Sequence, residues 1–256
     1  MSLSPLTIQH EDRVLRLTLN SPDQRNVLDD QLCDELTAAL DDAGHDRTVG
    51  CILLDAAGPV FCAGLDMDAL LRPQAREITE TQEHLFTLGV HYHKPIVAAV
   101  GGPVFGAGIA LLANCHVVLA AQGATFGLTE IRFGYWPFVT HRALTLAMGE
   151  RRTVELSLTG RIFSTTDALQ YGLVHEVTPP FELDDRANAT AQMLANASQE
   201  TLRRGLDFVQ KSRELNWEAA GSLAAECSER TFHSADFAEG VRAYREKRRP
   251  SWPSTK

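Results

Sequence analysis

Residues 99–115 read AVGGPVFGAGIALLANC. An apolar strand ends, four glycines follow in close order, and an apolar helix without a single charge begins. Gly101, Gly102, Gly106 and Gly108 admit backbone conformations that a Cβ forbids, and they let another group come close to the main chain. The run lacks the Gly-Lys-Ser/Thr ending of a nucleotide P-loop, and Gly102-x3-Gly106-x-Gly108 is not the dinucleotide fingerprint. Two readings stay open here: a strand-to-helix turn packed in the core, and a loop whose backbone is offered to a ligand.

Working outward, VLRLTLN (residues 14–20) alternates as a half-buried strand does, with Leu15, Leu17 and Leu19 on the face to bury and Val14, Arg16, Thr18 and Asn20 on the other. Asp29 is placed to cap a helix carrying Leu32, Leu36, Ala39 and Leu40, which Gly44 is expected to stop. VGCILLDAAG (residues 49–58) is a short continuous apolar run, the pattern of a strand buried on both faces. A helix over 77–91 and strands PIVAAV (95–100) and HVVLAA (116–121) follow, so strand, glycine loop and helix occur twice. From about Thr140 the chain turns helical, with one short strand in LVHEV (173–177) and a helical tail after Pro179 and Pro180. The expectation is an α/β fold with a core over residues 1–195 and a C-terminal helical region over 196–256.

The 256 residues carry a formal net charge of −9, which disfavours a nucleic-acid binder, because phosphate recognition needs a basic field. A few local arginines and lysines still suffice for one small anion. The longest apolar run is broken by Pro95, Pro103 and the glycines, against a membrane span. The start MSLSPLTIQHEDR has neither a secretory signal nor an organelle presequence, so a cytoplasmic location is expected. Five scattered cysteines read as reduced thiols. His91-x-His93 lacks a third ligand at recognisable spacing, so no metal is expected.

A second glycine corner, FCAGLD (61–66), changes the weight of the first. Two loops that each present free N–H groups can aim them at one oxygen and build an oxyanion hole from backbone alone. Each such donor is worth about 3–4 kcal/mol of transition-state stabilisation. In ATFGLTEIRFGYWPF (124–138) one carboxylate, Glu130, stands among Phe126, Leu128, Ile131, Phe133, Trp136 and Phe138. Desolvation there would raise its pKa and make it a better base near neutrality. The alternative is a solvated Glu130 paired with Arg132. Asp66 and Asp68 read as capping or surface groups, Asp167 as helix-start chemistry, and Cys62 has no dedicated base nearby in sequence.

Four segments in register, FCAGLDMDAL (61–70), AAVGGPVFGAGIALLANCHVVLAA (98–121), TFGLTEIRFG (125–134) and LTGRIFSTTDALQYGLVHEV (158–177), together with the tail EGVRAYREKRRPSW (239–252), resemble the crotonase, or enoyl-CoA hydratase/isomerase, family. The resemblance implies a crotonase-like spiral of ββα turns, with C-terminal helices that build a homotrimer or a dimer of trimers. It implies an acyl-CoA thioester as the ligand, with coenzyme A a part of the substrate and no separate cofactor. The enolate oxygen would be held by the amides of Leu65 and Ala107, flanked by Ala63, Gly64, Asp66 and Gly106. Arg25 and Val27 match the segment lining the nucleotide end, and Phe138 belongs to the acyl site. Tyr244 and Lys247 match tail positions that reach a neighbouring subunit's nucleotide; a solvated basic helix end is the other reading of Lys247.

Family hydratases commonly carry two glutamates. Here the first position is Ala110 and only Glu130 remains. Hydration divides its proton work between two carboxylates, whereas moving a double bond needs one base that takes a proton from the α carbon and returns it at the γ carbon. GYWPFV (134–139) also resembles the Pro-Phe version found in single-glutamate isomerases. His116 and Gly101 stand where the family usually has Asp and Asn. An enoyl-CoA isomerase is therefore expected. The alternatives are a hydratase using Glu130 alone or a carboxylate within 77–83, and a non-catalytic acyl-CoA-binding protein.

Overall fold

The computed structural model describes residues 4–66, 71, 78–88 and 92–255. A six-stranded sheet carries β1 (Leu6–Glu11), β2 (Val14–Leu19), β3 (Cys51–Ala56), β4 (Ile96–Val100), β6 (Val117–Ala121) and β9 (Glu176–Thr178), in that spatial order. β1 and β2 form an antiparallel hairpin, and every later pairing is parallel. A small second sheet joins β5 (Val104–Phe105), β7 (Thr125–Gly127) and β8 (Ile162–Ser164). The chain thus winds as a spiral: β4 supplies the long sheet, β5 the small one, and α3 (Ala107–Ala113) closes the turn, after which β6 and β7 repeat the move.

The leucine face of β2 packs into the main core with Ile52, Leu54, Ala98, Val100, Val118 and Ala120, under α1 (Asp30–His45). The opposite face is covered as well. There α7 (Leu183–Ala195) lays Leu183, Ala187, Ala191 and Ala195 on Val14, Cys51, Leu53, Val97, Ala99 and Leu119. Val14, expected on an open face, is therefore buried, because the alanine stripe lets the helix sit close to the sheet. A Cβ added to Gly50 would lie 2.6 Å from the Ala195 carbonyl oxygen.

Asp29 caps α1 as expected, accepting from the Leu32 amide at 2.8 Å. The helix runs past Gly44 to His45, however. Its end is set by Lys94, whose ammonium donates to the carbonyls of Ala43, Asp46 and Val49, so the orphan carbonyls need no glycine cap. The helix expected over 77–91 is described as α2 (Glu80–Thr87), opened by a Thr79/Gln82 capping box; Glu77 and His91 lie outside the described residues. His116 has a structural task, its Nδ1 accepting from the Ile96 amide at 3.0 Å, and burial pushes its pKa down to about 4. His175 does the same for the Val118 amide at 3.0 Å.

Beyond Thr140 come α4 (His141–Met148), α5 (Glu150–Thr159) and α6 (Thr165–Tyr171), the last opened by a Ser164/Asp167 capping box. After α7 the tail forms α8 (Gln199–Ser212), α9 (Trp217–Phe232) and α10 (Ala235–Glu246). The final residues fold back on it: Arg248 pairs with Glu239, the Ser251 amide donates to Glu239, and the Trp252 indole donates to the Asn196 carbonyl. Among the described residues no helix is long and apolar enough to cross a membrane.

Replacing Gly50 by Ala should press a methyl against the backbone of α7 and destabilise the protein by about 1–3 kcal/mol. A thermal melt reads this as a lowered Tm; an unchanged Tm would mean that the helix–sheet approach is looser than described.

Candidate active site

The two glycine corners meet. Cys62 and Val104 form a parallel bridge, with the Phe61 amide donating to the Pro103 carbonyl at 3.0 Å and the Phe105 amide to the Cys62 carbonyl at 2.9 Å. The glycines in the seam are required either by what lies against them or by a positive φ. A Cβ on Gly102 would fall 2.2 Å from the Pro59 carbonyl oxygen, and one on Gly108 would fall 2.9 Å from Cys62 Sγ. Gly64, at φ +92°, would set its Cβ 3.0 Å from the Phe105 carbonyl oxygen and 3.5 Å from the Ala107 nitrogen. Gly106, at φ +55°, donates to the Gly127 carbonyl at 2.9 Å and turns the chain into α3, whose first residue is Ala107. Gly102, Gly106 and Gly108 are buried in the core while Gly101 is exposed, and the same packing brings the Gly64 corner to the Ala107 amide.

On the other side the Leu28 amide donates to the Gly64 carbonyl at 2.8 Å, and Leu28 and Leu65 form a parallel bridge. In this bridge Leu28 directs its N–H to the partner segment, so the Leu65 N–H faces the other way. Leu65 and Ala107 both line one cavity of about 870 Å³, and neither amide has a hydrogen-bond acceptor among the described residues. Two unengaged donors at one cavity wall can receive an oxygen that gains negative charge.

Glu130 faces the same cavity from the opposite loop. Its Oε1 lies 3.3 Å from where a Cβ on Gly106 would stand, and its Oε2 is buried without a hydrogen-bond partner. Burial pushes its pKa above the usual carboxylate value, opposed only by a bond to its own amide. The pairing with Arg132 does not form, because that guanidinium donates to the Gly160 carbonyl at 2.6 Å. Among the described lining residues Glu130 is the one carboxylate; the rest of the wall is largely apolar, with Phe86, Phe105, Val139 and Ile162.

The structure thus brings Arg25, Ala63, Gly64, Leu65, Gly106, Ala107 and Glu130 to one cavity. Val27 and Asp66 stand beside it without lining it, and Phe138 is 70% exposed, its ring edge-on to Tyr135, which does line it. Tyr244 lies 86% exposed in the C-terminal region, against a separate groove formed by α8 and α10, and Lys247 is the left-handed C-cap of α10. Within one chain neither reaches the Glu130 cavity. Ala110 is fully buried in α3. Glu80 and Glu83, two carboxylates of the 77–83 segment, are solvent-facing and do not line the cavity. Asp68 lies outside the described residues. Cys62 is fully buried against Gly108 and its thiol is pushed up to about 12, so it is a packing residue.

Sequence reasoning passed over Asn26. Fully buried, it accepts from the Ser21 amide at 2.8 Å and donates to the carbonyls of Ala57 and Val60 at 2.9 and 2.8 Å, pinning the Arg25 loop to the chain that leads into the first glycine corner. Arg25 and Asn26 sit in the left-handed region at φ 56° and 50°. The readable signal was an Asn in a polar turn, a residue type that tolerates that conformation.

The enoyl-CoA hydratase/isomerase family profile matches residues 9–255. A Thermus thermophilus protein named as an enoyl-CoA hydratase is 32% identical, with 91% of this chain and 94% of that protein covered. The 2,3-dehydroadipyl-CoA hydratase of Escherichia coli is 31% identical over 98% of this chain and 99% of its own length. The crystal structure of an enoyl-CoA hydratase from Mycobacterium smegmatis superposes with a TM-score of 0.90 at 28% identity, covering 97% of this chain and 98% of that one.

Because burial raises the Glu130 pKa, its charged form costs stability once the pH rises above the unfolded value of about 4.3. Glu130→Gln should therefore raise the Tm at neutral pH, with the gain disappearing below that value, where the carboxyl is protonated in both states. A Tm difference independent of pH would show that the carboxylate is not desolvated.

Proposed function

The chain belongs to the enoyl-CoA hydratase/isomerase family, and from that premise we propose that it shifts a β,γ double bond of an enoyl-CoA thioester to the α,β position. The observation that carries the reading is that one desolvated carboxylate, and no second one among the described lining residues, shares a cavity with two unengaged backbone amides. Glu130 takes a proton from the α carbon, and the electron pair of that C–H bond moves through the carbonyl to its oxygen. The Leu65 and Ala107 N–H groups hold the resulting dienolate oxygen. Glu130, now a carboxylic acid, returns the proton at the γ carbon, and the electrons reform the carbonyl with the double bond at α,β. Nothing is consumed, and coenzyme A enters only as the substrate's handle.

Desolvation brings the base closer in pKa to neutral pH, where proton transfer is most efficient. Arg25, at the cavity rim, is assigned to the CoA end together with Val27. Ala63, Gly64, Asp66 and Gly106 shape the corner around the thioester, and Phe138 backs the ring of Tyr135. Hydration of a 2-enoyl-CoA by Glu130 acting on water is the second reading, favoured by relatives of 31–32% identity that are named hydratases. We further propose that residues 196–256 mediate a homotrimer or a dimer of trimers, bringing Tyr244 and Lys247 to a neighbour's CoA. In support, α8 and α9 fully bury no residue in the single chain, and Trp217 is 96% exposed.

Purified protein supplied with a β,γ-enoyl-CoA should produce the α,β isomer, and Glu130→Gln should slow this by about 10²–10⁴-fold. Crotonyl-CoA in parallel tests hydration. Turnover of crotonyl-CoA alone favours the hydratase reading, and tight binding without turnover of either substrate leaves an acyl-CoA-binding protein.

A further inference from the structure

Glu130 opens a short 3-10 turn (Glu130–Phe133), and Gly134 in the left-handed conformation reverses the chain, so that the Tyr135 amide donates to the Glu130 carbonyl at 3.1 Å. Tyr135 is thereby returned to the cavity that Glu130 lines. Its ring is steadied edge-on against Phe138, with centroids 6.0 Å apart. The phenol has no hydrogen-bond partner among the described residues. Glu130, which lines the same cavity, has its Oε2 buried as an acceptor without a donor, while Oε1 faces the Gly106 corner.

Two other polar side chains at this wall are engaged. Arg132 is tied to the Gly160 carbonyl, and Thr140 donates to the Pro137 carbonyl at 3.2 Å. Arg25 stands on the far loop, and Arg25 and Arg132 are the charged groups other than Glu130 among the lining residues. Burial and the charge of Glu130 both hold the Tyr135 phenol above its usual pKa, so it stays un-ionised at neutral pH and offers a proton without competing as a base.

We propose that Tyr135 is the positioning residue of the base: in the substrate-loaded site its hydroxyl donates to Glu130 Oε2, leaving Oε1 to face the α carbon. The inference rests on Glu130 being the base. Side-chain contacts of this kind commonly tighten only when substrate closes the site. A neutral donor on the carboxylate favours its ionised form and fixes which oxygen does the chemistry, a task that a second charged group would perform less selectively.

The test compares wild type with Tyr135→Phe, which keeps the ring and removes the hydroxyl. With β,γ-enoyl-CoA the variant should lose about tenfold in kcat and show the acid limb of its pH profile about one unit higher, as expected for removal of one charge-assisted hydrogen bond. KM should stay within about twofold, because the ground-state ligand is not touched. Carboxyl-carbon NMR of Glu130 with saturated butyryl-CoA bound gives a readout that needs no turnover. Its titration should move upward in Tyr135→Phe. A wild-type titration and acid limb preserved in the variant would overturn the proposal. Turnover that survives Glu130→Gln would instead overturn the base assignment itself.

Discussion

Everything at this site depends on two stretches of main chain lying closer together than side chains permit. Gly102 against the Pro59 carbonyl and Gly108 against Cys62 leave no room for a Cβ, and Gly64, tight against the Phe105 carbonyl, is held at a φ of +92° that a side chain rarely adopts. The result is a corner where Leu65 and Ala107, whose amides have no acceptor among the described residues, line one cavity. Such donors are fixed by the fold and need no reorganisation when charge develops, which is the condition under which backbone dipoles contribute most. The scaffold follows from the same requirement: the Cys62–Val104 bridge and the Gly106 bond to Gly127 weld the corner to the small sheet, and Asn26 anchors its outer side.

The proposed base is governed by the opposite physics. An amide pair is neutral and can be buried once its N–H groups have a use, whereas a buried carboxylate resists ionisation. Glu130 therefore holds its proton more tightly than a solvated glutamate would, and on the proposed reading stability is given up locally for a base suited to a weakly acidic carbon. The apolar wall around it, including Phe105 and Ile162, keeps that desolvation in place. Hydrogen bonding inside such a cavity then matters more than at a surface, because few groups are present to compensate a missing partner.

Much of this was legible in the residues. The alternation in VLRLTLN, the two-faced apolar run at 49–58 and the doubled glycine corners are local signals with a direct physical cause, and they reported the strands and the loops that meet. The short strands β7 and β8 were not legible, because three residues carry no period and their pairing is set by distant chain. The end of α1 lies past Gly44 for a similar reason: Lys94, about fifty residues away in sequence, satisfies helix carbonyls that a glycine cap would otherwise serve. At the site, glycines and a lone carboxylate announced themselves by type. The burial of Glu130 and the diversion of Arg132 to Gly160 arise only when separate segments pack, and the return of Tyr135 to the cavity follows from the left-handed turn at Gly134.

The central claim is one of convergence: two amides and one carboxylate serving a single thioester. A crystal structure of the protein with a bound, unreactive acyl-CoA tests it most directly. The account predicts the thioester oxygen about 2.7–3.1 Å from both the Leu65 and Ala107 nitrogens, with the Glu130 carboxylate beside the α carbon. A thioester oxygen bound elsewhere, or one of the two amides turned away from it, would contradict the account.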